Sequence, residues 1–292
     1  MTTTRVPQTG NVSQTALSPQ AIQGSKRQRI FQRDRVRTSF NNRALTWLSI
    51  GIFLFLYLPI IVLVIFSFSG ASNVGVWAGF STRWYAELLD DAALLSALKV
   101  SLWVALWSTL IATVLGTLAA MALERYRFFG RLTFDTALYL PIIIPDIVMA
   151  LSTLLFFVTF AVPLSRYTIL VTHIAFNIAF VAVVVRARLA EMDSSLEEAA
   201  ADLGANAWTT FRRVTLPILM PGVVSGALLA FTLSLDDFVI TFFVAGPGST
   251  TLPVRVYSMI KFGVTPEVNA ISTLMLLGST VLVVISLLLQ RK

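Results

Sequence analysis

Asp236 and Asp237 stand side by side in the middle of FTLSLDDFVITFFVAG, a run from Phe231 to Gly246 that is otherwise nearly all apolar. An ionised carboxylate at bilayer depth costs about 2.5–3.5 kcal/mol on insertion scales, so such a pair must face protein interior or water. At helical spacing Ser225, Leu229, Thr232 and Asp236 fall at i, i+4, i+7 and i+11 and form a partly polar stripe. Asp237 lies about 100° around the helix from Asp236, so one carboxylate can point into a path while the other flanks it. Asp146, in LPIIIPDIVMALS, is a third acid, beside Pro141 and Pro145. Those prolines free backbone carbonyls that only protein or water can satisfy. No Lys or Arg lies deep in an apolar run to pair with these acids. An unpaired acidic path attracts cations, and Phe231, Phe238, Phe242 and Phe243 supply ring faces for cation–π contact.

Plainer readings stand beside this one. The carboxylates are protonated, or pair with polar groups of a neighbouring subunit. The phenylalanines pack against lipid or other helices. Asp146 serves structure as readily as function. His173 and Asn177, about one helical turn apart, are expected to hydrogen-bond between helices.

Other chemistry is excluded. The chain has no Cys and one His, hence no disulfide, no thiolate metal site and no His-rich metal cluster. No Ser-His-Asp or paired general-acid arrangement is present, so no catalytic residue and no metal ligand is assigned. There is no G-x-x-x-x-G-K-[ST] phosphate loop, so ATP and its Mg²⁺ have no such site in this chain. Enzyme activity is not expected.

The elements that hold the acids follow from composition. Of 292 residues 56% are hydrophobic and 13% charged, and the mean hydropathy is +0.79. Soluble domains are about a quarter charged. Apolar runs of about 18 or more read as membrane-spanning helices. Six are expected, over about 44–68, 97–122, 137–162, 168–187, 219–246 and 270–290, in an all-α membrane protein. With both termini inside, 17 of the 22 Lys and Arg fall on cytoplasmic segments, as the positive-inside rule requires. That rule also accounts for the net charge of +7 without nucleic acid. A misparse of 137–187 leaves five spans and the C-terminus outside. If the fifth span begins near Met220, Asp236 lies about 24 Å along it at 1.5 Å per residue, in the outer half.

Residues 1–43 are polar and basic, with KRQRIFQRDRVR at Lys26–Arg37. They read as a mobile, disordered cytoplasmic tail, whose basic run can touch anionic lipid. Residues 44–94 hold the first span and an outer loop in which Trp77, Trp84 and Tyr85 suit an interfacial belt. The outer loop 247–269 is either a re-entrant or interfacial piece or an ordinary loop with one short helix.

Between spans four and five the segment 190–217 carries LEEAAADLGANAWTTFRRVTLP. Ser194 and Ser195 each precede a glutamate by three residues, as in a capping box. EEAAAD is a strong helix former, and Gly204 is placed to end that helix. Asn206 caps a second short helix, which Pro217 and Pro221 stop. The face of Ala199, Ala200 and Ala201 allows close approach of a partner, with Glu198 as a docking charge.

Glu198-Ala199-Ala200, Gly204, Val214 and Leu216-Pro217 match the pattern E-A-A-x3-G-x9-I-x-L-P, with Val for Ile. In this the chain resembles the permease subunits of ABC importers. With LPIIIPD and SLDDFVITFFVAGPGSTTLPVRVYSMIKFGVTPEVNA, it is similar to the second permease subunit of spermidine/putrescine importers. The resemblance implies the type I importer permease fold, with a permease domain over 95–292. It implies a coupling helix at Glu198, Ala199, Ala200, Gly204, Leu216 and Pro217, docked on an ATP-binding subunit. It further implies two ATP-binding subunits that hold ATP and Mg²⁺, a homologous permease and a periplasmic polyamine-binding protein, in a bacterial inner membrane. Polyamines passing Asp236, Asp237, Asp146, Thr232 and Phe238 by alternating access is the expected transport. Importers of ferric iron, thiamine or another organic cation remain alternatives. So do an ion-coupled carrier or channel and a membrane scaffold.

Overall fold

In hydrocarbon a segment must satisfy its own backbone hydrogen bonds, so apolar runs of this length fold as helices. This computed structural model describes the backbone of residues 19–263 and 265–290, and the side chains of 43–261, 263, 265–285 and 288. Among the described residues it is helical, with a single isolated bridge between Ser69 and Phe80.

The chain runs through α1 (Pro19–Phe66), α2 (Arg83–Asp90), α3 (Ala92–Arg125), α4 (Arg131–Ile143), α5 (Asp146–Thr159), α6 (Arg166–Ala190), α7 (Ser195–Asp202) and α8 (Ala207–Thr210). A π-helical turn, Phe211–Thr215, leads into α9 (Leu216–Asp236). Then come α10 (Val239–Val244), α11 (Leu252–Phe262) and α12 (Pro266–Gln290). Five segments are long and apolar enough to cross a membrane: Arg43–Phe66, Ala92–Arg125, Arg166–Ala190, Ala207–Asp236 and Pro266–Ile285. The bent pair α4–α5 is the sixth candidate.

The described residues divide between Val62 and Leu63 into two compact units. In the first, the apolar side chains of α1 between Leu45 and Ile61 are exposed, as contact with lipid demands. The mobile tail expected over 1–43 falls partly outside the described residues: 1–18 entirely, and 19–42 in their side chains. The α1 backbone begins at Pro19.

In the second unit α3, α6 and α9 pack on one another. Lipid supplies no hydrophobic drive between helices, so their contact rests on close approach of small residues. Ala119, Ala120, Ala182 and Ala230 fill the seam with Leu123, Val181, Val185 and Leu219. The register follows from named contacts. Ser108, Gly116 and Glu124 of α3 lie level with His173, Val181 and Arg186 of α6. Gly222, Gly226 and Ser234 of α9 lie level with Arg188, Val181 and His173. Helices α3 and α6 are therefore parallel, and α9 runs against both.

Three expected elements differ. The span at 137–162 is not one helix: α4 and α5 meet at 112°. The break is at Ile144–Pro145, because Pro145 has no N–H to donate and forces the residue before it out of helical geometry; Ile144 is extended, at φ −73° and ψ 132°. The span at 219–246 also breaks. Helix α9 ends at Asp236, and Asp237 is extended at ψ 120° before α10 begins. Nor is the helix after Asn206 stopped by Pro217. The π turn donates Leu216 N–H to Phe211 C=O, one residue wider than an α turn, and the helix continues through Pro217.

Trp84 is not part of an exposed belt. It is buried, and its Nε1 donates to Ser69 C=O at 2.8 Å. Trp77 is exposed, and Tyr85 meets Ser67 Oγ at 2.7 Å. The 247–269 loop carries one helix, α11, which packs on α3 and α12. Leu252 N–H at its start donates to Ser101 Oγ at 2.8 Å.

Candidate functional site

The break at Asp237 is held by a polar cluster inside the bundle. Asp237 Oδ2 accepts from Thr241 N–H and from Thr241 Oγ1, each at 2.8 Å, and Oδ1 accepts from Ile240 N–H at 3.3 Å. The carboxylate thereby satisfies free donors at the start of α10. His173 Nε2 stands 3.2 Å from Asp237 Oδ2 and 3.1 Å from Thr241 Oγ1. His173 Nδ1 is 2.7 Å from Ser234 Oγ, which is 3.0 Å from Ser108 Oγ. One arrangement satisfies this set with a neutral ring: Nε2–H donates to Asp237, Ser234 O–H donates to Nδ1, and Ser108 O–H donates to Ser234 or to Ala105 C=O. The cluster joins α3, α6, α9 and α10, and His173 is only 2% exposed.

The far end of α10 is fixed as well. Thr168 of α6 donates its hydroxyl to Val244 C=O at 2.7 Å. Gly246 follows, and a Cβ there would lie 1.8 Å from Leu164 C=O. Only a residue with no side chain fits against that backbone.

The two acids of the pair differ. Asp237 is turned inward, with 13% of its side chain exposed. Asp236 is exposed and has no hydrogen-bond or ion-pair partner among the described residues. Phe238 lies tilted at 4.7 Å from Tyr257 of α11 and 5.4 Å from Phe242, which lies 6.0 Å from Tyr257. Phe238 and Phe242 sit on the residues that follow the pair. Thr232 spends its hydroxyl on Leu228 C=O in its own helix, at 2.8 Å. Asp146 is exposed at the first turn of α5, and no hydrogen bond or ion pair joins it to Asp236 or Asp237. The interhelical bonding expected of His173 is present. Asn177 departs from it: fully buried, it has no hydrogen-bond partner among the described residues. Asp237 is likewise not left unpaired, since histidine supplies the partner that Lys and Arg do not.

Sequence reasoning passed over Thr241, Ser234 and Tyr257 at this site. Thr241 stands four residues after Asp237 in a helix-forming run, which is a legible signal. Nothing local marks Tyr257 of α11 as a neighbour of Phe238.

The second site is the α7–α8 knob. Gly204 takes φ +82°. Its N–H donates to Ala201 C=O at 2.8 Å, and Ala205 N–H donates to Ala200 C=O at 3.0 Å. That is a Schellman end, which needs a left-handed residue. Asn206 Oδ1 accepts from Thr209 N–H at 2.8 Å and starts α8. The expected capping box is absent. Ser194 makes no side-chain cap bond; Asp193 Oδ1 accepts from Ser195 N–H at 2.9 Å instead. Glu197 does not reach back because its carboxylate is taken by Arg125 at the end of α3 and by Thr215. Burial pushes the Glu197 carboxyl up, but the bonds from Arg125 and Thr215 and the Arg125 charge outweigh that and hold it below its usual value.

Glu198, Ala199, Ala201 and Pro217 are exposed, and Ala200 and Leu216 are half-buried. Leu203 is 90% exposed and Trp208 66%, so the knob presents apolar surface at its tip. Among the described residues no group of three or more His, Cys, Asp or Glu is placed to hold a metal ion.

A family model described as "Binding-protein-dependent transport system inner membrane component" matches residues 112–292. Over 218 residues the chain is 50% identical to the putrescine transport system permease protein PotI of Escherichia coli K12, covering 72% of this chain and 78% of that one. Over 222 residues it is 44% identical to the spermidine/putrescine transport system permease protein PotC of the same strain, covering 76% and 84%. A chain of a bacterial ABC transporter involved in the import of the acidic polysaccharide alginate shares the fold. Its TM-score is 0.67 at 19% identity, over 90% of this chain and 97% of that one. The chain belongs to the family of binding-protein-dependent transport system inner membrane components: it is a multi-pass permease subunit of an ABC importer, the part that spans the inner membrane beside ATPase subunits, a paired permease and a substrate-binding protein.

Proposed function

We propose that this permease carries cationic polyamines of the spermidine and putrescine class into the cytoplasm. The observation that carries the reading is identity of 44–50% to permeases named for those two substrates. The chemistry of the break supports it. Asp236 offers an exposed carboxylate two residues before Phe238, whose ring meets Phe242 and Tyr257, and a flexible polyamine is recognised by negative charge and ring faces. Asp237, Asp146, Thr232 and Phe238 complete the path, with Asp237 also fixing its shape. Discontinuous helices at bilayer depth are a recurring way to build such a path.

Both termini lie in the cytoplasm. The parallel course of α3 and α6 supports this, because the chain between them must return across the membrane and only the bent pair α4–α5 is available to do so. The bent pair then counts as one crossing of six, which agrees with the distribution of Lys and Arg. The basic segment 1–43 is a cytoplasmic tail, 44–94 the first span with its periplasmic loop, and 95–292 the permease domain.

The 190–217 loop docks on an ATP-binding subunit through Glu198, Ala199, Ala200, Gly204, Leu216 and Pro217. Closure of two such subunits on ATP moves the knobs, and the spans rock open to the periplasm. A polyamine-binding protein delivers its cargo near Asp236, and hydrolysis resets the inward state. The test is ATP-dependent uptake of labelled putrescine and spermidine by the complete assembly in proteoliposomes, against thiamine, ferric iron and choline as competitors. Competition by the polyamines alone is expected; competition by another cargo alone would overturn the assignment.

A further inference from the structure

Glu197 lies just before the docking motif and uses both carboxylate oxygens. Oε2 accepts from Arg125 Nη1, and Oε1 accepts from Thr215 Oγ1. Arg125 is the last residue of α3. Thr215 is buried, in the π turn that runs without interruption into α9. The neighbour of Arg125, Glu124, accepts from Arg186 of α6 at 2.9 Å. Arg186 in turn reaches Asp135 at 2.6 Å and Tyr139 at 3.1 Å, both on α4. Four helices of the bundle are thus tied to one point on the knob.

We propose that Arg125, Glu197 and Thr215 form the joint through which movement of the knob is delivered to the membrane helices. These are positioning residues for transport: they touch neither substrate nor, on the docking reading, the ATPase surface. This inference rests on that docking reading of the 190–217 loop. The physical reason is stiffness. The side chains of α7 and α8 that the knob presents are largely exposed, and its own backbone turns at Gly204. A glycine-hinged piece passes on a push only if it is fixed to what it pushes. Charge-assisted bonds to a carboxylate are short and directional, and here they grip α7 on two sides. From the π turn the helix runs to Asp236, about 30 Å at 1.5 Å per residue. The joint therefore stands at one end of the rod whose other end carries the Asp237 break.

The test uses the intact transporter in proteoliposomes and reads ATP hydrolysed per substrate imported. Arg125→Ala, Glu197→Gln and Thr215→Val are each expected to raise that ratio about tenfold, the scale of losing one charge-assisted bond, while ATP hydrolysis itself continues. Thr215→Ser, which keeps the hydroxyl, is expected to behave as wild type. Arg125→Glu with Glu197→Arg is expected to recover most of the coupling that either change removes alone. Thr215→Val is nearly isosteric, so it keeps the proposal testable if a charged variant fails to assemble. A normal ratio in assembled Thr215→Val and Glu197→Gln overturns the joint. Gly204→Asp is run beside them: if it uncouples while the joint variants do not, docking stands and the joint fails; if it too leaves coupling normal, the docking reading fails first.

Discussion

Asp237 lies 3.2 Å from the ring of His173, while Asp236, its neighbour in the chain, is exposed and meets no partner among the described residues. Two adjacent carboxylates thus have different work. One pins a broken helix to the bundle, and the other makes no such bond.

Asp237→Asn and His173→Ala are expected to lower stability as well as transport, because each strips partners from a buried polar cluster. A loss of about 1–3 kcal/mol is the scale for a group left without its hydrogen bond. Thermal unfolding in detergent of the two single variants and the double variant checks this. A coupling of at least about 0.5 kcal/mol between them is expected; strict additivity would mean the contact at 3.2 Å carries no energy.

Gly246→Ala is expected to be the most damaging small substitution near the site. The added carbon would sit 1.8 Å from Leu164 C=O, and backbone cannot turn aside as a side chain does. The cost is at the upper end of overpacking, about 3 kcal/mol. Membrane yield and unfolding temperature would fall together. By contrast, at Gly51 and Gly278 a Cβ meets no heavy atom within 4 Å, and alanine there is expected to be silent in the same assay.

The Glu197 carboxyl is held below its usual value: burial raises it, but the bonds from Arg125 and Thr215 prevail. A depressed carboxylate contributes fully above its unfolded value, about 4.3, and that contribution is lost as pH falls through the folded value. Coupling between hydrolysis and uptake should therefore stay level from about pH 8 down to about pH 5. The curve for wild type should run parallel to that for Glu197→Gln across that range. A wild-type midpoint between pH 6 and 7 that Glu197→Gln abolishes would contradict the Arg125 contact.

Much of the fold is legible in the residues, because hydrocarbon leaves an apolar run of sufficient length one choice of structure. All six apolar segments have helical counterparts, and Gly204 ends α7 with the left-handed turn that its place in EEAAADLG implies. What escaped depends on contacts distant in sequence. Ser194 and Ser195 have the spacing of a capping box, yet Arg125, some seventy residues earlier, draws Glu197 away. Pro217 reads as a stop, yet the π turn ahead of it absorbs the missing N–H. The break at Asp237 has no proline or glycine to announce it. There the carboxylate bonds to Thr241, four residues on, and to His173, which no local pattern marks as its partner.

The most direct test of the account is ATP-driven uptake of labelled spermidine by proteoliposomes holding the complete importer with Asp236→Asn in this chain. Uptake is expected at least about tenfold below wild type, the scale of losing one charged contact to a bound cation, with assembly, unfolding temperature and ATP hydrolysis preserved. Uptake equal to wild type in that assembled variant would contradict it.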